Sequence, residues 1–247
     1  TTTTTTTTTV TPVSSALTTA ADDIDGTTGN DSVSGARSDT IQTLNTGDNV
    51  DLGAGTDTLT ATLNAGTVQP TLAGIETLTL SAVGAATVDM DNATGYTSIV
   101  NSGSTNTLTI DDAATVTGLT IQNTGQATTL TYKTATLSGA ADSMTVTLKD
   151  VTGGVITIGS EADADGDIET INIVSNGVGN TTGNIAFGAD ATSVVVTGSG
   201  NLDIDAGAEF AKVASFDASA ATGNVAVQFA DRASTSTTFD VSATTGS

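Results

Sequence analysis

Short runs of β-branched and apolar residues, each closed by Gly, Asn, Ser or Asp, recur through most of this 247-residue chain. Candidate strands fall at 78–80, 87–90, 98–101, 108–110, 119–122, 130–132, 144–148 and 155–158, and continue at 171–174, 184–187, 193–197, 202–204, 213–217, 225–229 and 239–242. Runs this short, with turn formers between them, fit a sandwich, a barrel or a solenoid. Long helices do not fit. Thr and Gly number 55 and 27; both are weak helix formers, and Thr prefers strands.

Internal similarity favours the solenoid. Residues 99–110 align with 121–132 at an offset of 22, and Gly74-Ile-Glu-Thr-Leu-Thr-Leu80 matches Asp167-Ile-Glu-Thr-Ile-Asn-Ile173. Each unit reads as strand, polar turn, strand. Such a unit cannot bury an apolar face alone, but a stack of them forms one continuous core. The expected fold is therefore all-β, a β-solenoid with a Gly/Asp-rich calcium-binding segment near the N-terminus. It divides into a Thr-rich stretch at 1–15, the Gly/Asp-rich segment at 16–60 and solenoid repeats at 61–247. Val196 is expected to point inward.

Charge excludes several functions. Five Lys and Arg face 27 Asp and Glu, a net charge of −22. Nucleic-acid backbones and anionic membrane surfaces are bound through clustered cations, which this chain lacks. With no Cys or His there is no zinc site of the usual kind and no disulfide. No apolar run is long enough for a membrane-spanning helix. The chain is nevertheless 37% hydrophobic, with two Pro, which is not the composition of a disordered one.

The acids concentrate. Eight Asp lie between 22 and 57, against one Arg and no Lys. Glycines there allow tight turns that aim carboxylates and carbonyls at one point, the oxygen-rich arrangement a hard divalent cation requires. Residues 26–34 (Gly-Thr-Thr-Gly-Asn-Asp-Ser-Val-Ser) follow the Gly-Gly-x-Gly-x-Asp-x-apolar-x nonapeptide with Thr27 at its second position. Residues 52–60 follow it with Leu52 at the first, and 35–41 are a poorer copy carrying Arg37 where Gly is expected. Ca2+ is the expected ion. Its candidate ligands are Asp25, Asp31, Asp48, Asp51 and Asp57 with Gly29 and Gly55, then Asp22, Asp23 and Asp39. A second candidate loop carries Asp163, Asp165 and Asp167 in an arrangement like the start of an EF-hand loop, with a solvated loop as its alternative. The pairs Asp89/Asp91 and Asp111/Asp112 read as solvated turns.

The run Ala16-Leu-Thr-Thr-Ala-Ala-Asp-Asp-Ile-Asp-Gly-Thr-Thr-Gly-Asn-Asp-Ser-Val33 resembles the opening of RTX-type surface proteins, as do 74–80, 197–202 and 214–223. These are the calcium-dependent S-layer proteins of Gram-negative bacteria, exported by type I secretion. The resemblance implies a β-solenoid secreted to the cell surface, calcium within and between subunits, and assembly of copies into a two-dimensional lattice. Lipopolysaccharide would be contacted through another region. The nonapeptides are imperfect and the long terminal β-roll is missing, so the chain reads as one portion of a longer protein.

Three other functions compete. An adhesin or sugar-binding module needs exposed aromatic rings, but Trp is absent and Tyr and Phe number two and five; most of these rings are expected in the core. Ice binding needs Thr-x-Thr arrays in register, and the copies at 58–60, 107–109, 129–131 and 145–147 are unevenly spaced. An enzyme is least expected, since only Arg37 and Arg232 could bind substrate as guanidinium groups.

Overall fold

The computed structural model describes residues 11–137, 139, 141–161, 168–187, 191–205, 213–228 and 238–240. Within them the chain winds into a β-solenoid of about nine turns, with every strand pairing parallel. One sheet runs the length of the stack. It contains β1 (Ser14–Ala16), β3 (Ser32–Gly35), β5 (Thr58–Leu63), β8 (Thr77–Ala82), β10 (Ser98–Ser102), β12 (Gly118–Gln122), β14 (Ser143–Lys149), β16 (Thr170–Asn176), β19 (Ser193–Gly198), β21 (Ser215–Ala221) and β23 (Thr238–Asp240). A six-stranded sheet contains β6 (Gly66–Val68), β9 (Ala86–Asp89), β11 (Leu108–Ala113), β13 (Thr128–Tyr132), β15 (Ile156–Ser160) and β18 (Ile185–Ala186). Two three-stranded sheets complete it: β2 (Asp23–Thr27), β4 (Asn49–Gly53) and β7 (Thr71–Ala73), then β17 (Gly179–Thr182), β20 (Asn201–Asp205) and β22 (Val225–Gln228).

Alternation produces the core. In β8, Leu78, Leu80 and Ala82 are buried while Thr77, Thr79 and Ser81 face out, the period of two that a pleated strand imposes. Parallel register then lines up equivalent positions. Val33, Leu59, Leu78, Ile99, Leu119, Val146, Ile173 and Val196 form one buried aliphatic ladder through eight strands. Burying each such side chain stabilises the fold by roughly 1.5–3 kcal/mol. Tyr96, Tyr132, Phe187 and Phe216 are buried as well, as expected of rings in a narrow core. Two polar residues, Asn101 and Ser175, interrupt the neighbouring column. Asn101 is buried between Leu80 and Ile121, its amide donating to Thr128 Oγ1 and its Oδ1 accepting from Ser104 Oγ.

One expectation about spacing needs correction, and another holds only in part. The similarity between 99–110 and 121–132 has an offset of 22, but the strands pair Ile99 with Leu119 and Leu108 with Thr128, an offset of 20. A slip of two residues keeps every side chain on its own face, so the hydrophobic pattern cannot detect it. The Thr-x-Thr copies at 58–60 and 145–147 fall in one register, whereas those at 107–109 and 129–131 are slipped by two residues, as their spacing implies. Thr58 and Thr60 pair with Thr77 and Thr79, and Thr67, Thr87, Thr109, Thr129 and Thr157 form one outward column. A coil advances the chain by as few as 18 residues (Ser14 to Ser32) or as many as 29 (Ile156 to Ile185), and the turns absorb the difference.

Replacing Val196 with Asp places a carboxylate in the aliphatic ladder. Urea unfolding followed by circular dichroism should show a loss of about 3–5 kcal/mol at neutral pH, smaller at acidic pH where the buried carboxyl protonates.

Candidate cation sites at the coil corners

The two near-complete nonapeptides occupy the same place in adjacent coils. Asp23, Ile24, Asp25 and Thr27 pair with Asn49, Val50, Asp51 and Gly53, and Ser32 pairs with Thr58. This register stacks the acids in pairs 26 residues apart: Asp22 with Asp48, Asp25 with Asp51, and Asp31 with Asp57. Glycine makes the stacking possible. A Cβ on Gly55 would stand 2.3 Å from the Gly29 carbonyl oxygen and 2.9 Å from Asp57 Oδ1, and one on Gly26 would stand 2.3 Å from the Leu52 carbonyl oxygen.

Asp31, Asp57 and Glu76 occupy one corner, each just before a strand of the long sheet. Val13 N–H donates to Asp31 Oδ1, Asp31 N–H to Asp57 Oδ1 at 2.6 Å, and Asp57 N–H to Glu76 Oε2 at 2.7 Å. Each carboxylate thus accepts the corner amide of the preceding coil. Asp142 and Glu169 repeat the device, with Asp142 N–H 2.6 Å from Glu169 Oε2. Glu76 and Glu169 are the acids of the matched segments 74–80 and 167–173, so that similarity marks a true structural equivalence.

Asp31 and Asp57 differ in one respect. Both are buried. Asp31 Oδ2 also accepts from Thr27 N–H and Oγ1, and the Thr27 amide is the largest of several contacts that lower its pKa. The amide at the matching place in the next coil, Gly53 N–H, donates to Asp51 instead. Asp57 Oδ2 is left buried without a hydrogen-bond partner, which costs free energy unless something positive fills the gap.

The remaining expected ligands are dispersed. Asp48 is buried, accepts from Asp22 N–H at 3.0 Å and Asn45 N–H at 2.7 Å, and has its pKa raised mainly by burial. Asp22 accepts from Thr18 N–H, and Asp23 from the Asn49 side chain. Asp25 and Asp51 face solvent side by side. Gly29 N–H caps onto Thr27 Oγ1. Asp39 is exposed in the turn closed by the Ser38–Ile41 bridge, apart from the stacked pairs. Asp163, Asp165 and Asp167 lie outside the described residues.

A further cluster was read as solvated turns. Asp89, Asp91 and Asp112 place carboxylate oxygens within 4.8 Å of one another and could hold a metal ion. They come from successive coils at the corner after the six-stranded sheet: Asp89 ends β9, Asp91 follows it, and Asp112 sits in a β-bulge of β11 with a left-handed φ of 59°. The next two coils bring Lys133 and Glu161 to this corner. Lys133 Nζ lies 2.6 Å from Asp91 Oδ1, which raises the lysine's pKa, and Gln69 donates to Asp89 Oδ2. Asp112 is pushed up to about 6, first by a hydrogen bond shared with Glu161, then by desolvation and by the charges of Glu161, Asp91 and Asp89. The bulge hid the cluster from sequence reasoning. The pairing of Asp89 with Asp111, 22 residues apart, was the available signal.

No family model, curated protein or solved structure matches this chain.

The raised pKa of Asp112 sets a direction. Its contribution is fully present below the ordinary carboxylate range and is lost as pH rises through about 6. Stability in chelator should therefore increase as pH falls from about 7 to about 5, and Asp112→Asn should flatten that rise. Thermal melts across this window check it.

Proposed function

We propose that this chain is a structural cell-surface protein whose solenoid is held by calcium and assembles into a two-dimensional S-layer coat, with secretion to the cell exterior as its setting. The observation that carries this reading is the in-register stacking of acids along the first coils, Asp22 on Asp48, Asp25 on Asp51 and Asp31 on Asp57. Stacked carboxylates about one strand spacing apart repel unless a cation lies between them. Oxygen is the only donor type these residues offer, and hard cations such as Ca2+ select it. The unpartnered Oδ2 of Asp57 fits the same ion, since a buried oxygen without a donor is a ready ligand. Asp31, Asp57 and Gly29 would hold one ion, and Asp89, Asp91 and Asp112 another. Calcium supplies positive charge and links one coil to the next. No catalytic role is part of this reading.

Dialysis of the protein into millimolar calcium or into chelator, followed by electron microscopy, tests the coat. Ordered sheets only with calcium support it; dispersed particles in both conditions overturn it and favour a segment of a calcium-stabilised adhesin. Calcium binding is tested separately. An ion present at 100 times its Kd stabilises the fold by about 2.7 kcal/mol, seen as a rise in Tm over chelator. Replacing Asp31 and Asp57 together with Asn should remove most of that rise. If it survives intact, these two residues are not ligands.

A further inference from the structure

Charge is distributed unevenly around the coil. The acids sit at corners and on the smaller sheets: Asp23 and Asp25 in β2, Asp51 in β4, Asp89 in β9, Asp111 and Asp112 in β11, Asp203 in β20. The long sheet is the opposite. From β1 through β19 its nine strands contain no Asp or Glu, and Lys149 is their only charged residue. In a chain of net charge −22 this leaves one broad face without acids, ending where Asp217 stands in β21.

That face is also regular. Ser34, Thr60, Thr79, Val100, Thr120, Thr147, Val174 and Thr197 stand in one outward column, in register from coil to coil. Beside it run Ser32, Thr58, Thr77 and Ser98. These side chains are short and present methyl and hydroxyl groups. Nine strands at about 4.8 Å and five residues at about 3.3 Å give a surface of roughly 700 Å2 before side-chain relief is added. A standard protein interface buries about 800 Å2 on each partner.

We propose that the outer face of the long sheet from β1 through β19 is where two copies of this chain meet, sheet against sheet. Two molecules of charge −22 repel in most orientations, and the repulsion is least where neither presents carboxylates. Flat sheets pack face to face about 10 Å apart, and interdigitated Thr and Val suit that separation. The acids bordering the face do not oppose contact strongly, because Asp31, Asp57, Glu76 and Glu169 accept backbone amides and three of them line one buried corner. The proposal deepens the coat reading by assigning one lateral contact, and it can stand or fall apart from the lattice.

The absence of cysteine from the chain makes the test direct. Thr120→Cys puts a single thiol at the centre of the face, and Thr129→Cys puts one on the six-stranded sheet as a control. Under mild oxidation in calcium, Thr120→Cys should give disulfide-linked dimers at least about tenfold faster than Thr129→Cys. In parallel, the triple variant Thr79→Asp, Thr120→Asp, Thr147→Asp should weaken self-association at least about tenfold by sedimentation, with its circular dichroism unchanged. Equal cross-linking rates overturn the proposal, as does an all-monomer wild type. Ordered arrays with equal cross-linking would leave the coat standing and remove this face from it. Fast cross-linking at 120 without arrays would keep the face and remove the lattice.

Discussion

A parallel coil has to satisfy its backbone at every corner, where the strand ladder stops and the chain turns. Here that requirement is met in part by carboxylates. Asp57 accepts the amide of Asp31, Glu76 that of Asp57, and Glu169 that of Asp142, each reaching back to the preceding coil. These charge-assisted bonds, about twice as strong as neutral ones, fix one coil on the next at the point where the aliphatic ladder begins. Register along the long sheet, and the columns it creates, depend on that anchoring.

The device concentrates negative charge. Placing acids at corners keeps them out of the core, but parallel stacking brings each within about one strand spacing of the next. Where amides saturate the carboxylate, as at Asp31, the charge is stabilised. Where they do not, as at Asp57 Oδ2 or among Asp89, Asp91 and Asp112, the fold creates a demand for positive charge. Lys133 meets part of it at the second place. Two consequences of the same geometry follow, cation-seeking corners and a long sheet left free of acids from β1 through β19.

Much of the fold was legible from local pattern. Alternation in 77–82, 98–102 and 143–149 marks strands with one buried face, and the matched segments at 74–80 and 167–173 mark the same corner four coils apart. The nonapeptides placed Asp31 and Asp57 correctly as equivalents, because glycine at 26, 53 and 55 is required by contact with the neighbouring coil. Less of the site could be read. Asp112 joins Asp89 and Asp91 through a β-bulge, and a bulge changes the pairing of one residue without changing composition. Glu76 carries no local signal of its role, because its partner, the Asp57 amide, lies in the previous coil.

The sequence by itself determined that the chain is all-β, that it stacks as a solenoid, and that its charge gathers near the start, since these follow from side-chain type, period and composition. The tertiary structure decided the register. Coils of unequal length align their strands by pushing the excess into turns, so Ile99 meets Leu119 and not Ile121, and Thr60 meets Thr79. A shift of two residues leaves every side chain on its face, and only backbone pairing across the coils distinguishes the alternatives. Which carboxylates meet, and which face stays free of acids from β1 through β19, are therefore properties of the stack.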